Sequence, residues 1–240
     1  MSEQTILPAS PPKIGNQLEL LSFHIPKSAG TSFRNMLRDV YGEAAVLRFD
    51  TPLRGGGKFR VEQQPYTGRT LPNRARVLHG HFSWAHVNNI LELPPDIPKI
   101  TWLRDPVERV VSNYFYLSKR LREILDEEGQ GVNILSKMER SLTEYAQAPI
   151  NQNRMSKFLE GLDLTDFLFV GILEHMEEDL QHLSKRMGWV IEEAYQHNTT
   201  GKRKREISAE ERAVIEACNA GDLALYQRAL ELRGKGQWRP

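Results

Sequence analysis

One passage constrains the fold more than any other. The apolar segment Leu18-Glu-Leu-Leu-Ser-Phe-His-Ile25 runs through Pro26-Lys27-Ser28-Ala29-Gly30-Thr31-Ser32 into an amphipathic stretch. Phe33, Met36, Leu37 and Val40 fall at i, i+3, i+4 and i+7, the spacing of one helix face, and Gly42 supplies the stop. Strand, short loop and helix in that order open an α/β unit. Further apolar runs at 45–49, 76–79, 99–103 and 167–172 alternate with helical stretches near 106–128, 174–187 and 208–233. This alternation predicts a single α/β domain with a mainly parallel central sheet flanked by helices and a P-loop-like phosphate-binding loop after the first strand. A chain of 240 residues suffices for one well-buried core, so residues 18–240 are expected to form that domain. Residues 1–17, polar and proline-containing, read as a flexible arm. Residues 50–75, with Gly55-Gly56-Gly57, Pro52, Pro65 and Pro72, read as a long loop and a candidate acceptor flap.

Three short motifs carry chemistry. A helix start offers unpaired backbone N–H groups and the positive end of the helix dipole, and Gly30 lets the backbone approach an anion closely. Lys27, Ser28, Ala29, Gly30, Thr31 and Ser32 are therefore candidate phosphate ligands. The nucleoside-triphosphatase loop G-x-x-x-x-G-K-[ST] is absent, because here the lysine precedes the glycine. The plainer alternative is that Thr31 or Ser32 caps the helix and Lys27 is solvated. In Thr101-Trp-Leu-Arg104-Asp105-Pro106, Asp105 suits a helix N-cap and Pro106 the first turn. Arg104 is thereby expected at the C-terminal end of a strand, where open α/β sheets bind ligands. Ser112 follows two turns along, and an arginine fork with a hydroxyl suits a phosphate monoester; a capped helix with a surface arginine is the alternative. His79-Gly80-His81 ends a short strand and brings two imidazoles close, either of which could take a proton. Two satisfied structural histidines, or a metal site with His86, are the alternatives; no acidic or cysteine partner is adjacent, so no metal is expected.

Taken together, His24-Ile-Pro-Lys-Ser-Ala-Gly-Thr-Ser-Phe33 and Leu103-Arg-Asp-Pro-Val-Glu-Arg-Val-Val-Ser112 resemble two motifs of sulfotransferases that use 3'-phosphoadenosine 5'-phosphosulfate (PAPS): the 5'-phosphosulfate loop and the 3'-phosphate motif. With His79-Gly80-His81 ahead of Arg-Asp-Pro, the resemblance is closest to the heparan sulfate and uronyl 2-O-sulfotransferase group. Phe169-Val-Gly-Ile-Leu-Glu174 and Thr200-Gly201-Lys202 resemble later segments of that group. The resemblance implies in-line sulfuryl transfer from PAPS to a hydroxyl of a carbohydrate or glycoconjugate, leaving 3'-phosphoadenosine 5'-phosphate (PAP), with no metal ion. It implies His81 as general base, with His79 supporting it or lining the acceptor site, and Lys27 at the bridging oxygen. The amides of 28–32 would hold the 5'-phosphate and Arg104 with Ser112 the 3'-phosphate. Thr200, Gly201, Lys202 and Arg203 would close over the nucleotide phosphates.

Lys and Arg total 32 against 31 Asp and Glu, so charge balance gives no general pull toward nucleic acid or acidic membranes, and any anion site must be local. No apolar run has the length of a signal peptide or membrane span, and the single Cys218 permits no internal disulfide. The expectation is a cytoplasmic protein in a reducing compartment, with Asn198-Thr199-Thr200 a chance sequon. Arg54, Lys58, Arg60, Arg69, Arg74 and Arg76 face only Glu62 across residues 54–76, which points to an anionic or sugar-like acceptor. The rival readings are a P-loop-like kinase and a nucleotide- or RNA-binding module built on Lys202-Arg-Lys-Arg205.

Overall fold

The computed structural model describes residues 18–51, 59–66, 71–91, 93–94, 96–127, 140–191 and 206–239. Within them, the apolar runs become strands buried on both faces, which is why they read as nearly continuous hydrophobic segments rather than alternating ones. These are β1 (Leu20–Phe23), β2 (Val46–Asp50), β5 (Val77–Gly80), β6 (Lys99–Leu103) and β7 (Phe169–Ile172). All five pair in parallel. Two short strands, β3 (Arg60–Val61) and β4 (Gln64–Pro65), add an antiparallel ribbon at the β2 edge. The sheet order is β4-β3-β2-β5-β1-β6-β7. The expected α/β domain with a mainly parallel sheet is therefore the fold observed, while the reading of 50–75 as unbroken loop is corrected. Phe59 and Tyr66 bury apolar surface against the core, their rings 6.2 Å from Phe49, and this holds the ribbon to the sheet.

Helix α1 (Gly30–Tyr41) buries Phe33, Met36 and Leu37 and ends at Gly42, whose φ of 89° closes it with an N–H bond to the Arg38 carbonyl. A short helix α2 (Trp84–Ile90) follows β5. Helix α3 (Pro106–Glu127) starts as expected: Asp105 Oδ1 accepts from the Glu108 N–H at 2.9 Å and Pro106 fills the first position. Its Val107, Val110 and Val111 pack on α4 (Leu142–Gln147) and α7 (Ala209–Cys218) through Leu142, Ala146 and Ile215. The helix expected over 174–187 is α6 (Met176–Met187), entered through one 3-10 turn.

The helix expected over 208–233 is two helices, α7 and α8 (Ala220–Gly234), broken at Asn219. That side chain, wholly buried, donates to the Ile215 carbonyl at 2.8 Å and accepts from the Asn153 N–H at 3.0 Å, thereby joining the helix break to the start of α5 (Arg154–Phe158). Asp222 completes the joint. Its buried carboxylate accepts from Met155 N at 3.1 Å, Ser156 N at 2.8 Å and Ser156 Oγ at 2.8 Å, with the buried Arg109 Nε at 3.9 Å. Asp222→Ala strands these donors and an arginine charge inside the protein, a loss of about 3 kcal/mol. Urea unfolding of the variant should show it; a loss under about 1 kcal/mol would mean that water replaces the carboxylate.

Candidate active site

The chain leaves β1 toward β2 on one side and leaves β6 toward β7 on the other, so the crevice between the C-terminal ends of β1 and β6 is a topological switch point. Two sequence motifs meet there. Lys27 and Ala29 both hold left-handed φ, 71° and 57°, a conformation non-glycine residues seldom adopt, and they turn the loop tightly into α1. The helix begins at Gly30 with Ala29 as its N-cap and no side-chain cap, and carries no acidic residue in its first turn. Thr31 and Ser32 are exposed residues of that turn rather than caps. The positive end of α1 is thus neither capped by a side chain nor offset by a carboxylate of its own first turn. Ser28 is buried, and its hydroxyl finds no hydrogen-bond partner among the described residues.

Arg104, just beyond β6, donates from Nη1 to the Lys27 carbonyl at 3.2 Å. Four residues on, Glu108 lies 4.0 Å from its Nη2. One further turn brings Ser112, half-buried, and the next Tyr116, over whose ring the Lys27 ammonium rests at 4.1 Å. Residues 104, 108, 112 and 116 share one helical stripe. Both ends of that stripe touch Lys27, so Ser112 lies on the face of α3 that runs beside the loop.

The histidine pair lies on the other side of β1, at the end of β5. Ser22 and His79 are register partners, and Ser22 Oγ lies 2.8 Å from His79 Nδ1. His79 is 2% exposed, and its Nε2 has no hydrogen-bond partner among the described residues. It is walled off from solvent. His81 is half-buried and fixed at several points. Its N–H donates to Asp50 Oδ1 at 3.0 Å, its carbonyl accepts from the Thr51 N–H at 2.9 Å, and its Nδ1 donates to the His24 carbonyl at 2.7 Å. A carbonyl only accepts, so the neutral ring carries its proton on Nδ1 and a lone pair on Nε2. Burial holds its pKa below 6.5 against the opposing pull of the His24 carbonyl and Asp50. Gly80 stays in strand register with Phe23, and its α-carbon faces the Phe49 backbone so closely that a Cβ would lie 1.9 Å from the carbonyl oxygen.

Three neighbours of this pair escaped the sequence reading. The His24 ring stacks on His81 at 4.2 Å and on His79 at 5.1 Å. Phe158 meets His81 edge-on at 6.3 Å, and the Arg154 guanidinium covers Phe158 at 5.1 Å. Arg154 forms no salt bridge with a described residue; Nη1 donates to the Ile150 carbonyl. Nothing local marks residues 154 and 158, more than seventy positions from His81. The structure describes only part of the basic 54–76 run. Glu62 is bound by Arg34 at 2.8 Å, and Arg76 is held by Glu19 at 2.6 Å and by the Tyr41 ring, away from the crevice. Arg54, Lys58, Arg69, Thr200, Gly201, Lys202 and Arg203 lie outside the described residues. Among the described residues no group of three His, Cys, Asp or Glu could hold a metal ion, and no helix is long and apolar enough to cross a membrane.

A profile of the Sulfotransferase family matches residues 14–230, and the chain belongs to that family. Among solved structures it is similar to mouse sulfotransferase SULT7A1 complexed with PAP, at 12% identity and a TM-score of 0.41, over 84% of this chain and 63% of that one. The chain thus spans under two thirds of that protein's length, and at this similarity the likeness carries no argument about ligand or acceptor. No curated protein matches the sequence.

The histidine cluster also sets a pH dependence of stability. Burial, reinforced by neighbouring positive charge, lowers His24 to about 2 and His79 to about 3, so both are neutral in the folded protein. The unfolded chain takes up these protons near 6.5, as ordinary histidines do. Stability is therefore full above that pH and falls as the solution is acidified, by on the order of 1 kcal/mol per pH unit for each histidine. Urea unfolding between pH 7.5 and 5 checks this, and a flat profile would contradict neutral burial.

Proposed function

We propose that this chain moves a sulfuryl group from PAPS to an acceptor hydroxyl. One observation carries the reading: the hydrogen bond from Arg104 to the Lys27 carbonyl joins the two anion-binding segments across the switch point. The open end of α1, with Lys27 and the amides of 28–32, suits the 5'-phosphosulfate, and Arg104 with Ser112 suits the 3'-phosphate. Membership of the Sulfotransferase family supports PAPS as the donor.

The acceptor oxygen attacks sulfur as the bond from sulfur to the bridging oxygen breaks. The bonding electron pair leaves on the 5'-phosphate of PAP. Lys27 offsets the charge gathering on that oxygen. The acceptor proton passes to His81 Nε2, whose lone pair follows from the Nδ1 bond to the His24 carbonyl. A pKa held below 6.5 keeps the imidazole neutral at neutral pH, so its lone pair is available for the proton. His79, buried and stacked on the His24 ring at 5.1 Å, is assigned support rather than contact with the acceptor.

The acceptor we propose is a glycan hydroxyl beside an anionic group. Arg154, which forms no salt bridge with a described residue and lies next to the ring that borders His81, supports an anionic neighbour on the substrate.

PAP should raise the melting temperature and AMP far less, because AMP lacks the 3'-phosphate; Arg104→Ala should erase most of the difference. Thermal unfolding with each nucleotide checks this, and equal shifts would sink the assignment. Lys27→Ala should lower turnover at least tenfold while changing PAP affinity less, roughly the signature of a group acting on the leaving oxygen.

A further inference from the structure

We propose that His24 is a positioning residue that ties the phosphate-binding loop to His81, and that Gly30 is glycine to make room for it. This rests on the reading of His81 as the base. The His24 backbone carbonyl takes the Nδ1 proton of His81 at 2.7 Å, and the His24 ring covers the same imidazole at 4.2 Å with the planes 30° apart. One residue therefore fixes both the tautomer and the plane of the ring. The ring also lies against the start of α1, where a Cβ on Gly30 would fall 1.8 Å from His24 Cδ2. Gly30 has no positive φ, so its conformation does not demand glycine; the space does. The first residue of the helix that would hold the phosphosulfate and the imidazole that would take the acceptor proton thus both meet a single ring.

The charged and titratable groups around His81 are Asp50 and Arg48 from β2, His79 from β5, His24 beyond β1 and Arg154 from α5. Arg48 is paired with Asp50 at 2.6 Å. None of them lies between His24 and His81, so replacing His24 changes what covers His81 without removing another charge partner. Uncovering the ring hydrates it and relieves the penalty on its charged form.

The test reads the resting protein and needs no acceptor. Long-range proton–nitrogen spectra of the histidine rings, followed through pH, give the tautomer and titration midpoint of His81. In the wild type the Nδ1–H form should persist to below pH 6.5. His24→Ala should raise the midpoint by about one unit, and His24→Phe, which keeps a flat ring without nitrogens, should restore it. If His24→Ala does not fold, His24→Asn serves with a smaller shift in the same direction. Gly30→Ala should displace the ring and raise the midpoint too, whereas Gly30→Ala in the His24→Ala background should add nothing, since the methyl group then has space. An unchanged midpoint in His24→Ala, failure of His24→Phe to restore it, or additive effects of the two substitutions would each overturn the proposal. A normal outcome here with no transfer from PAPS would instead refute the functional reading and leave the positioning role standing.

Discussion

Everything in the site depends on β1 being the centre of a parallel sheet. Because β5 and β6 flank it in the same direction, residues that follow three different strands emerge at one edge: His24 and Lys27 after β1, His81 after β5, Arg104 after β6. The strands are short and fully buried, so their register is fixed by burial on both faces, and a slip would expose apolar side chains. Contacts between the motifs then follow from register. Ser22 reaches His79 because they are neighbours in the ladder, and the His24 N–H bonds the Gly80 carbonyl one step beyond it.

Around that edge, charge is distributed unequally. On the β6 side, Arg104 and the open end of α1 leave positive potential facing the crevice, moderated by Glu108 at 4.0 Å. Glu174 turns away from it, accepting from the Asp105 N–H at 3.1 Å and from the Tyr226 hydroxyl at 2.9 Å, and so braces the start of α3. The β5 side is a stack of neutral rings. There burial suppresses protonation of His24, His79 and His81 alike. On the proposed reading, the half that would bind the anion and the half that would accept the proton sit on either side of one strand, the division of labour that transfer of a charged group to a hydroxyl requires.

Much of this was legible in the sequence, for physical reasons. Doubly buried strands leave continuous apolar runs, and Asp105-Pro106 carries its own N-cap chemistry, so β1, β6, α1 and α3 stood out with their loops. The break between α7 and α8 did not, because Asn219 terminates a helix only by virtue of Asn153, sixty-six residues earlier. Arg154 and Phe158 were invisible for the same reason: their relation to His81 is set by the buried Asp222, Asn219 and Asn153 joint, not by local pattern. The charges at 54–76 look opposed by Glu62 alone in sequence, but among the described residues Glu19 from elsewhere in the fold pairs with Arg76, and Arg34 takes Glu62.

The central claim is that a neutral His81 accepts the proton of the hydroxyl that PAPS sulfates. The most direct measurement is the rate of radiolabelled sulfuryl transfer from PAPS to a panel of glycan and phenol acceptors, followed from pH 5 to 8 in the wild type and in His81→Ala. The account predicts a wild-type rate that is level above pH 6.5 and falls on acidification below it, since protonation removes the Nε2 lone pair. It predicts a loss of roughly 100-fold or more in His81→Ala, with PAP binding retained. Near-normal transfer by His81→Ala, or a wild-type rate that rises as His81 becomes protonated, would contradict it.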